Sequence, residues 1–299
     1  MKLLQINHLR RKIHWKIFAK PIGGRDLMTN LRDSTFLKTG DIVMVHSSLS
    51  SIGNVTGGPE TVCRAFQQVL TETGTLLMPS YHQPEPILKM IHRGHLVDLR
   101  SAGSTMGRLT EAFRTMQGVS RSSHPFSSVC AWGRYADEMT RHHDSSPYIC
   151  GPSSPFIQLV EKSGKYMGIG IDIRVIALYH ALEENWSDFP IRVHYPKPFL
   201  VPYIDAYGNQ VKRELIILDP EIAKTRIDQE RAGAWIRKWL TNHMRARGVL
   251  HEFRFGQSNT WIVDAKLFYE EMKLLARRRI TIYTTKQEFD AMGLEKGTP

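Results

Sequence analysis

The chain has 299 residues, of which 41% are hydrophobic and 23% are charged. This composition is typical of a globular protein with enough apolar residues for a large core. Lys and Arg exceed Asp and Glu by 11, which favours an anionic partner such as a nucleotide-bearing cofactor, an anionic glycan or nucleic acid. No RNA-binding aromatic motif, zinc-finger spacing or helix-turn-helix accompanies the charge, so we do not expect nucleic-acid binding.

The sequence contains no apolar run of membrane-spanning length, and its N-terminus lacks the apolar core of a secretory signal. Its three cysteines, Cys63, Cys130 and Cys150, are isolated and lack CxxC spacing, a pattern typical of a reducing compartment. We therefore expect a cytoplasmic protein without a transmembrane segment. Adjacent histidines such as His142 and His143 point apart on most backbones, so no metal site is predicted.

In chain order, the first part of the sequence predicts strands that alternate with helices. Residues 1–38 are basic and weakly amphipathic, which is typical of helical segments packed on a main domain. A strand over 42–47, a helix over 59–72 and a strand over 75–78 follow. Residues 80–103 contain two prolines and three histidines and predict a long irregular loop, and loops of this length are usually functional.

The second part of the chain continues the alternation. Further helices are predicted over 105–116, 134–142, 155–162, 173–185, 221–247 and 265–276, and further strands over 127–132, 166–171 and 280–283. Prolines and the Gly208-Asn209 turn divide residues 192–218 into short β-type segments. We expect a single domain over residues 1–299, with a three-layer α/β/α fold, a mixed central sheet and an antiparallel extension in the C-terminal half.

The loop after the first strand is rich in hydroxyls and glycines. It reads VHSSLSSIGNVTGG over residues 45–58 and leads into a helix with Pro59 in its first turn. Glycines let a backbone approach a ligand closely, and a helix N-terminus attracts anions. The loop lacks a Walker lysine and Rossmann glycine spacing. Two interpretations stay open, namely a phosphate or pyrophosphate site and a plain serine-rich connection.

A second polar loop, RSSHP at residues 121–125, precedes the strand predicted over 127–132. The arginine of this loop, Arg121, is a candidate to clamp a carboxylate or a phosphate. It is equally a candidate to satisfy backbone carbonyls within a turn.

Within the helix predicted over 173–185, His180 and Glu183 lie three residues apart and project from the same face. A neutral imidazole takes up a proton at neutral pH, and a nearby carboxylate fixes its tautomer and raises its basicity. Side chains at this spacing meet imperfectly, so Glu183 is also a candidate to hold a substrate amine. A surface pair on an amphipathic helix has the same spacing, and the residues alone do not separate these alternatives.

Taken together, these segments resemble the aminoglycoside 3-N-acetyltransferase family, which is the antibiotic N-acetyltransferase type and distinct from GNAT acetyltransferases. The matching stretches are residues 45–50, Ile52-Gly53, Gly57-Gly58, residues 74–79, Met106-Gly107, Glu111, Phe113-Arg114, Arg121-Ser122, His124-Pro125, Ser128, Gly151, Ser154-Pro155, Gly164-Lys165, His180 and Glu183. Each motif is weak alone, but the ordered set over residues 40–185 is specific. The last hundred residues match only loosely.

The resemblance implies an acyltransferase that moves acetyl from acetyl-CoA to the amine of an aminoglycoside or related amino sugar, as in antibiotic resistance. His180 would be the general base of a direct transfer, with Glu183 beside it. The residues implied to bind coenzyme A are His46, Ser47, Ser48, Leu49, Ser50 and Gly53, together with Arg121, Ser122 and Ser123. We expect only small-molecule partners, and a homodimer is an open alternative.

Two departures from the family matter. Members commonly carry Asn-Thr just before the histidine, where this chain has Ile176 and Ala177, so a hydroxyl near the thioester is missing. Aminoglycosides are polycations, which a chain of charge +11 suits poorly unless acidic residues gather locally. The residues expected in the acceptor site are Tyr81, Asp98, Asp172 and Glu184. The alternatives are an acyltransferase for an anionic amino-sugar precursor and a weakened member that binds coenzyme A or a glycan.

Overall fold

The structure is a computed structural model that describes residues 20–229 and 233–294. The helices are α1 (Gly24–Asp33), α2 (Leu49–Ile52), α3 (Gly58–Leu70), α4 (Ile87–His92), α5 (Arg108–Arg114), α6 (Ala136–Arg141), α7 (Pro155–Glu161), α8 (Leu178–Asn185), α9 (Pro220–Ala223), α10 (Ala234–Ala246), α11 (Ala265–Arg277) and α12 (Lys286–Ala291). The strands are β1 (Ile42–Ser47), β2 (Thr75–Pro79), β3 (Val97–Asp98), β4 (Ser120–Arg121), β5 (Val129–Gly133), β6 (Lys165–Ile169), β7 (Phe199–Ile204), β8 (Gln210–Leu215), β9 (Leu250–Phe255) and β10 (Ser258–Asp264). Short 3-10 turns lie at His143–Ser145 and Ile173–Val175.

The central sheet has seven strands in the order β4-β5-β2-β1-β6-β10-β9. Strand β1 pairs in parallel with β2 and β6, and Met44 lies beside Leu77 on one side and Tyr166 on the other. Strands β5 and β10 add to this parallel core in the antiparallel sense. The sheet is therefore mixed, and its β10–β9 edge is contributed by the C-terminal half.

Both faces of the sheet are buried. Successive β1 side chains point to opposite sides of the sheet, so they belong to two different cores. Met44 and Tyr166 belong to a core covered by α7, α8, α10 and α11. Val43 and Val45 belong to a second core covered by α1, α3 and α5. The predicted three-layer α/β/α fold with a mixed sheet is confirmed.

A second sheet of three strands, β3-β7-β8, lies apart from the central one. Its strands β7 and β8 form the antiparallel segments predicted over 192–218, with Tyr203 and Phe126 in a small core of their own. The antiparallel extension of the central sheet itself comes from the β9–β10 hairpin, which the sequence analysis missed.

Four element predictions were wrong in part. Residues 80–103 contain α4 and β3 and are not a continuous loop. The helix predicted over 221–247 is two helices, α9 and α10, in the described residues. Residues 280–283 form a turn, and the helix predicted over 173–185 begins only at Leu178 after a 3-10 turn.

Within the segment 1–38, which was predicted to be helical, the structure contains helix α1. Residues 1–19 of that segment lie outside the described residues. A single domain over the whole chain stays a prediction. Across residues 20–229 and 233–294, no helix has both the length and the apolarity that crossing a bilayer requires.

Strand β6 approaches β10 closely at Gly168, opposite Trp261. A Cβ on Gly168 would lie 2.1 Å from the indole. The same indole stacks on Tyr166 with ring centroids 6.2 Å apart and donates its N–H to the Ile171 carbonyl at 2.8 Å. Glycine at this position therefore lets the Trp261 indole pack directly over the β6 backbone, where it can bond to the carbonyl that follows the strand.

Gly168→Ala is expected to lower the free energy of unfolding by about 1–3 kcal/mol, because the added methyl overpacks the indole. Urea denaturation followed by circular dichroism measures the loss. Gly23→Ala is the matched control, since a Cβ there meets no atom closer than 3.6 Å. Equal stability of the two variants would contradict the packing argument.

Candidate active site

The carboxyl ends of β1 and β6 lie at one edge of the central sheet, because the two strands are parallel. Three concave regions lie at this edge. The His180 cavity, of about 450 Å³, is lined by His46, Tyr81, Cys150, Arg174, His180 and Glu184 among others. The serine-loop cavity, of about 600 Å³, is lined by residues 47–50, Gly53 and Arg108 among others. The basic groove, of about 810 Å³, lies between α10 and the β9–β10 hairpin.

His180 lies in the first turn of α8 and makes a direct hydrogen bond with Glu183. The distance from His180 Nδ1 to Glu183 Oε2 is 2.7 Å, and only 1% of the Glu183 side chain is exposed. The second carboxylate oxygen, Oε1, accepts the hydroxyl of Tyr283 at 3.0 Å. Both oxygens of Glu183 are thus engaged, and its side chain does not line the His180 cavity, so it is not placed to hold a substrate amine.

The contact with Glu183 sets the protonation chemistry of His180. Burial disfavours the imidazolium, but the attraction and hydrogen bond of Glu183 outweigh it and raise the pKa of His180 above its ordinary value. In the neutral ring, Nδ1–H donates to the carboxylate, and Nε2 keeps its lone pair. In the described residues Nε2 has no hydrogen-bond partner, so it is the nitrogen available to the cavity.

Tyr283 is a member of this site that the sequence analysis did not find. It lies after α11, a hundred residues from Glu183, in the segment wrongly predicted to be a strand. Burial, and to a lesser extent the Glu183 carboxylate, raises the pKa of the Tyr283 phenol. Its proton therefore stays on the oxygen and is donated to Glu183.

His46, at the end of β1, lines the same cavity as His180. Burial lowers the pKa of His46 to about 4, so the ring is neutral near pH 7. The Tyr166 hydroxyl lies 2.8 Å from His46 Nε2 and accepts the N–H of Ala177 at 3.1 Å. In the tautomer that carries its proton on Nδ1, His46 Nε2 accepts the Tyr166 hydroxyl proton, and Nδ1–H of His46 is a donor.

Cys150 is a further group on the wall of the His180 cavity. Burial raises the pKa of the Cys150 thiol, and the carboxylates of Glu184 and Glu183 raise it further. The sulfur is therefore kept protonated.

The serine-loop cavity contains predicted residues Ser47, Ser48, Leu49, Ser50 and Gly53. Ser47 Oγ is buried and has no hydrogen-bond partner in the described part of the chain. Such an orphaned group fits a ligand that supplies the missing bond.

The backbone around this cavity is also suited to an anion. Helix α3 begins at its wall with Gly58 and Pro59, and Gly57 before it adopts a left-handed φ of 78°. Arg108, at the start of α5, adds a cation that the sequence analysis did not single out. These residues fit a phosphate-bearing ligand.

The structure places Arg121, Ser122 and Ser123 outside the lining of both cavities. The guanidinium of Arg121 donates to Ser128 Oγ and to the carbonyls of residues 80, 99 and 102. Ser122 Oγ donates to buried His143 and accepts the Val129 N–H, while Ser123 Oγ accepts the Ala206 N–H. These positions favour the second interpretation of the Arg121 loop, in which it satisfies internal carbonyls, and do not support cofactor binding by these residues.

The four residues expected in the acceptor site are divided among different places. Tyr81 and Glu184 line the His180 cavity. Asp172 lines the basic groove, where its carboxylate lies 3.8 Å from Arg237. Asp98 lies in β3, is paired with Arg100 at 2.8 Å and lines none of the three regions.

A mixed sheet flanked by helices carries a histidine–glutamate pair and a hydroxyl-rich loop at the carboxyl ends of its parallel strands, an arrangement suited to chemistry with a general base. The family model described as aminoglycoside 3-N-acetyltransferase matches residues 44–276. The chain belongs to the aminoglycoside 3-N-acetyltransferase family.

Named relatives and solved structures agree with this assignment. Aminoglycoside N(3)-acetyltransferase IX of Micromonospora chalcea is 29% identical over 77% of this chain and 84% of its own. Aminoglycoside N(3)-acetyltransferase VII of Streptomyces paromomycinus is 33% identical over 62% of this chain and 67% of its own. The crystal structure of aminoglycoside acetyltransferase AAC(3)-Xa superposes with a TM-score of 0.70 at 27% identity, covering 90% of this chain and 95% of that one.

Glu183→Gln is expected to lower the pKa of His180, because the carboxylate that raises it is removed while burial remains. Tyr283→Phe keeps the Glu183 charge and is expected to change the pKa much less. Titration of the His180 ring signals by NMR in the three proteins measures the shift. A His180 pKa that is unchanged or higher in Glu183→Gln would contradict the assigned contact.

Proposed function

We propose that this protein is an acetyl-CoA-dependent N-acetyltransferase with His180 as general base, acting on an amino group of an aminoglycoside or related amino sugar. The observation that carries the proposal is the hydrogen-bonded series Tyr283–Glu183–His180, which leaves Nε2 of the histidine for the cavity. Family membership supports the reaction class and the kind of acceptor.

Two structural relatives motivate the choice of ligands. The AAC-IIIb structure, 23% identical with a TM-score of 0.71, is a binary complex with CoASH. The AAC-VIa structure, 22% identical with a TM-score of 0.65, is bound to sisomicin. We infer that this chain likewise takes coenzyme A and a small-molecule amine.

The serine-loop cavity is the proposed coenzyme A site. Its orphaned Ser47 hydroxyl, the N-terminus of α3 and the Arg108 guanidinium are groups that bind the polar and phosphate portions of such a ligand. His46 lines the His180 cavity and the adjacent Ser47 lines the serine-loop cavity. The end of β1 is therefore where the donor and the acceptor are proposed to meet.

Acetyl-CoA supplies the activated acetyl group. In the proposed direct transfer, His180 Nε2 takes a proton from the acceptor nitrogen as that nitrogen bonds to the acetyl carbon. The carbon–sulfur bond breaks, and the imidazolium returns its proton to the leaving sulfur. Glu183 stabilises the imidazolium between these events, so no acyl-enzyme is required.

The carbonyl oxygen gains negative charge during this attack and needs hydrogen-bond donors. The family hydroxyl is missing here, because Ile176 and Ala177 replace Asn-Thr. Nδ1–H of His46 and the unpartnered Ser47 hydroxyl are donors at the junction of the two cavities. We propose that they take over part of this role.

The same replacement favours a second candidate function, in which the chain binds coenzyme A or a glycan without catalysis. Calorimetry with CoASH, combined with thiol release from acetyl-CoA across aminoglycosides and amino-sugar nucleotides, separates the two. Binding without turnover of any amine would support the second candidate. The absence of both CoASH binding and turnover would overturn the N-acetyltransferase and the coenzyme A-binding candidate together.

His180→Ala is expected to lower kcat/KM by about 10²–10⁴-fold, because general-base catalysis contributes that much. The Kd for CoASH is expected to stay within about twofold, since His180 does not line the serine-loop cavity. His92→Ala is the matched control, as that histidine is exposed on α4. Turnover like that of the wild type in His180→Ala would remove the base assignment.

Arg108→Ala is expected to weaken CoASH binding by about tenfold or more, because a hydrogen bond to a charged group contributes about 1.5–3 kcal/mol. The effect is expected to shrink as salt is raised. Titration calorimetry measures it, with Arg25→Ala as control, since Arg25 is exposed on α1. Equal CoASH affinity of both variants would place the phosphates elsewhere.

A further inference from the structure

The His180 cavity has walls that poorly match a polycation. Its lining includes the apolar side chains of Ile87, Leu88, Ile149, Val175, Ile217 and Leu218. An ammonium group moved from water to such a wall loses hydration and gains no compensating partner. Each further amine of a polycation adds to this cost.

The carboxylates near the cavity are already engaged. Glu184 accepts the Cys150 N–H with one oxygen and lies 3.2 Å from His194 Nε2 with the other. Glu183 is bound by His180 and Tyr283. Among the lining residues, Glu184 is the one carboxylate, so in the described chain no free carboxylate faces the acceptor.

Arg174 gives the cavity a cation instead. It lies in the 3-10 turn Ile173–Val175, which separates the His180 cavity from the basic groove. No carboxylate in the described residues pairs with its guanidinium. The nearby Asp172 is held by the turn itself, since its Oδ1 accepts the Arg174 N–H at 3.0 Å, while its other oxygen lies toward Arg237.

The surroundings of Arg174 strengthen its field. Beyond the turn, the basic groove contains Arg237, Lys238, Arg245 and Arg254 against two carboxylates, Asp172 and Glu252. The whole chain carries an excess of 11 positive charges. Positive charge around a partly enclosed site lowers the local concentration of cations and raises that of anions.

The Tyr81 hydroxyl is a second polar group in the His180 cavity that can contact an acceptor. Tyr81 lines the cavity, and its hydroxyl makes no hydrogen bond in the described residues. Burial raises the pKa of this phenol, so it keeps its proton. A neutral donor and a guanidinium that line the same cavity suit the oxygens of a carboxylate or a phosphate.

We propose that the acceptor is an amine with an anionic group that binds Arg174 and a partly apolar body that fills the cavity, and that polycations are poor acceptors. This inference rests on the proposed N-acetyl transfer. Of the acceptors named there, it keeps the related amino sugar and excludes the polycationic aminoglycoside. The preference for an anionic amine then follows from the Arg174 guanidinium and from the absence of free carboxylates among the described residues that line the His180 cavity.

Matched amines test the inference with the full chain. The probes are 4-(aminomethyl)benzoate against 4-(aminomethyl)benzamide, glucosamine 6-phosphate against glucosamine, and tobramycin as the polycation. In the wild type, each anionic member is expected to have at least about a tenfold higher kcat/KM and a tenfold lower Kd than its neutral partner.

Arg174 variants show whether this side chain is responsible. Arg174→Ala is expected to remove the preference for the anion, and Arg174→Glu to reverse it in favour of tobramycin. Arg25→Glu makes the same change in net charge on exposed α1 and is expected to leave the preference unchanged.

Equal calorimetric affinity within each pair, or no affinity for any probe, overturns the inference. A higher kcat/KM for tobramycin that Arg174→Ala leaves unchanged overturns it too. Failure of the proposed function is recognised separately, as no CoASH binding and no thiol release with any amine, even where an anionic amine binds in an Arg174-dependent way.

Discussion

The rest of the structure depends on the parallel pairing of β1 with β6. Because parallel strands end at the same edge, Ser47 and Ile169 finish side by side, and the chain leaving each strand builds one wall of the site. The chain after β1 forms the serine loop, and the chain after β6 leads through the 3-10 turn to α8 and His180. Two segments more than a hundred residues apart are thereby held against each other by backbone hydrogen bonds and two buried cores.

The buried charge of Glu183 is the second constraint. A carboxylate that is almost wholly removed from water is costly unless its oxygens are satisfied. His180 and Tyr283 supply those bonds from two different elements. The same bonds fix the histidine ring and its tautomer, so a requirement for stability also prepares a proton acceptor.

Sequence patterns predicted most of the β1–β6 core and the proximity of His180 to Glu183, because these depend on short-range signals. The continuous apolar run of β1 is visible in the sequence, and His180 with Glu183 is visible at helical spacing. The β9–β10 hairpin and Tyr283 were missed because their roles depend on distant partners, β6 and Glu183. The sequence could not predict the surroundings of Arg121 either, because it does not reveal that the backbone carbonyls of residues 80, 99 and 102 converge on its guanidinium.

The protonated state of Cys150 has a consequence for chemical selectivity. A thiolate on the wall of the His180 cavity would compete with an incoming amine for a thioester, since thiolates exchange readily with thioesters. Burial together with Glu184 and Glu183 keeps this sulfur as a thiol, which is a weak nucleophile. Glu183 and Glu184 thus raise the basicity of His180 and at the same time keep Cys150 protonated. Their negative charge stabilises the imidazolium cation and disfavours the thiolate anion, so the cavity favours attack by an amine over attack by this sulfur.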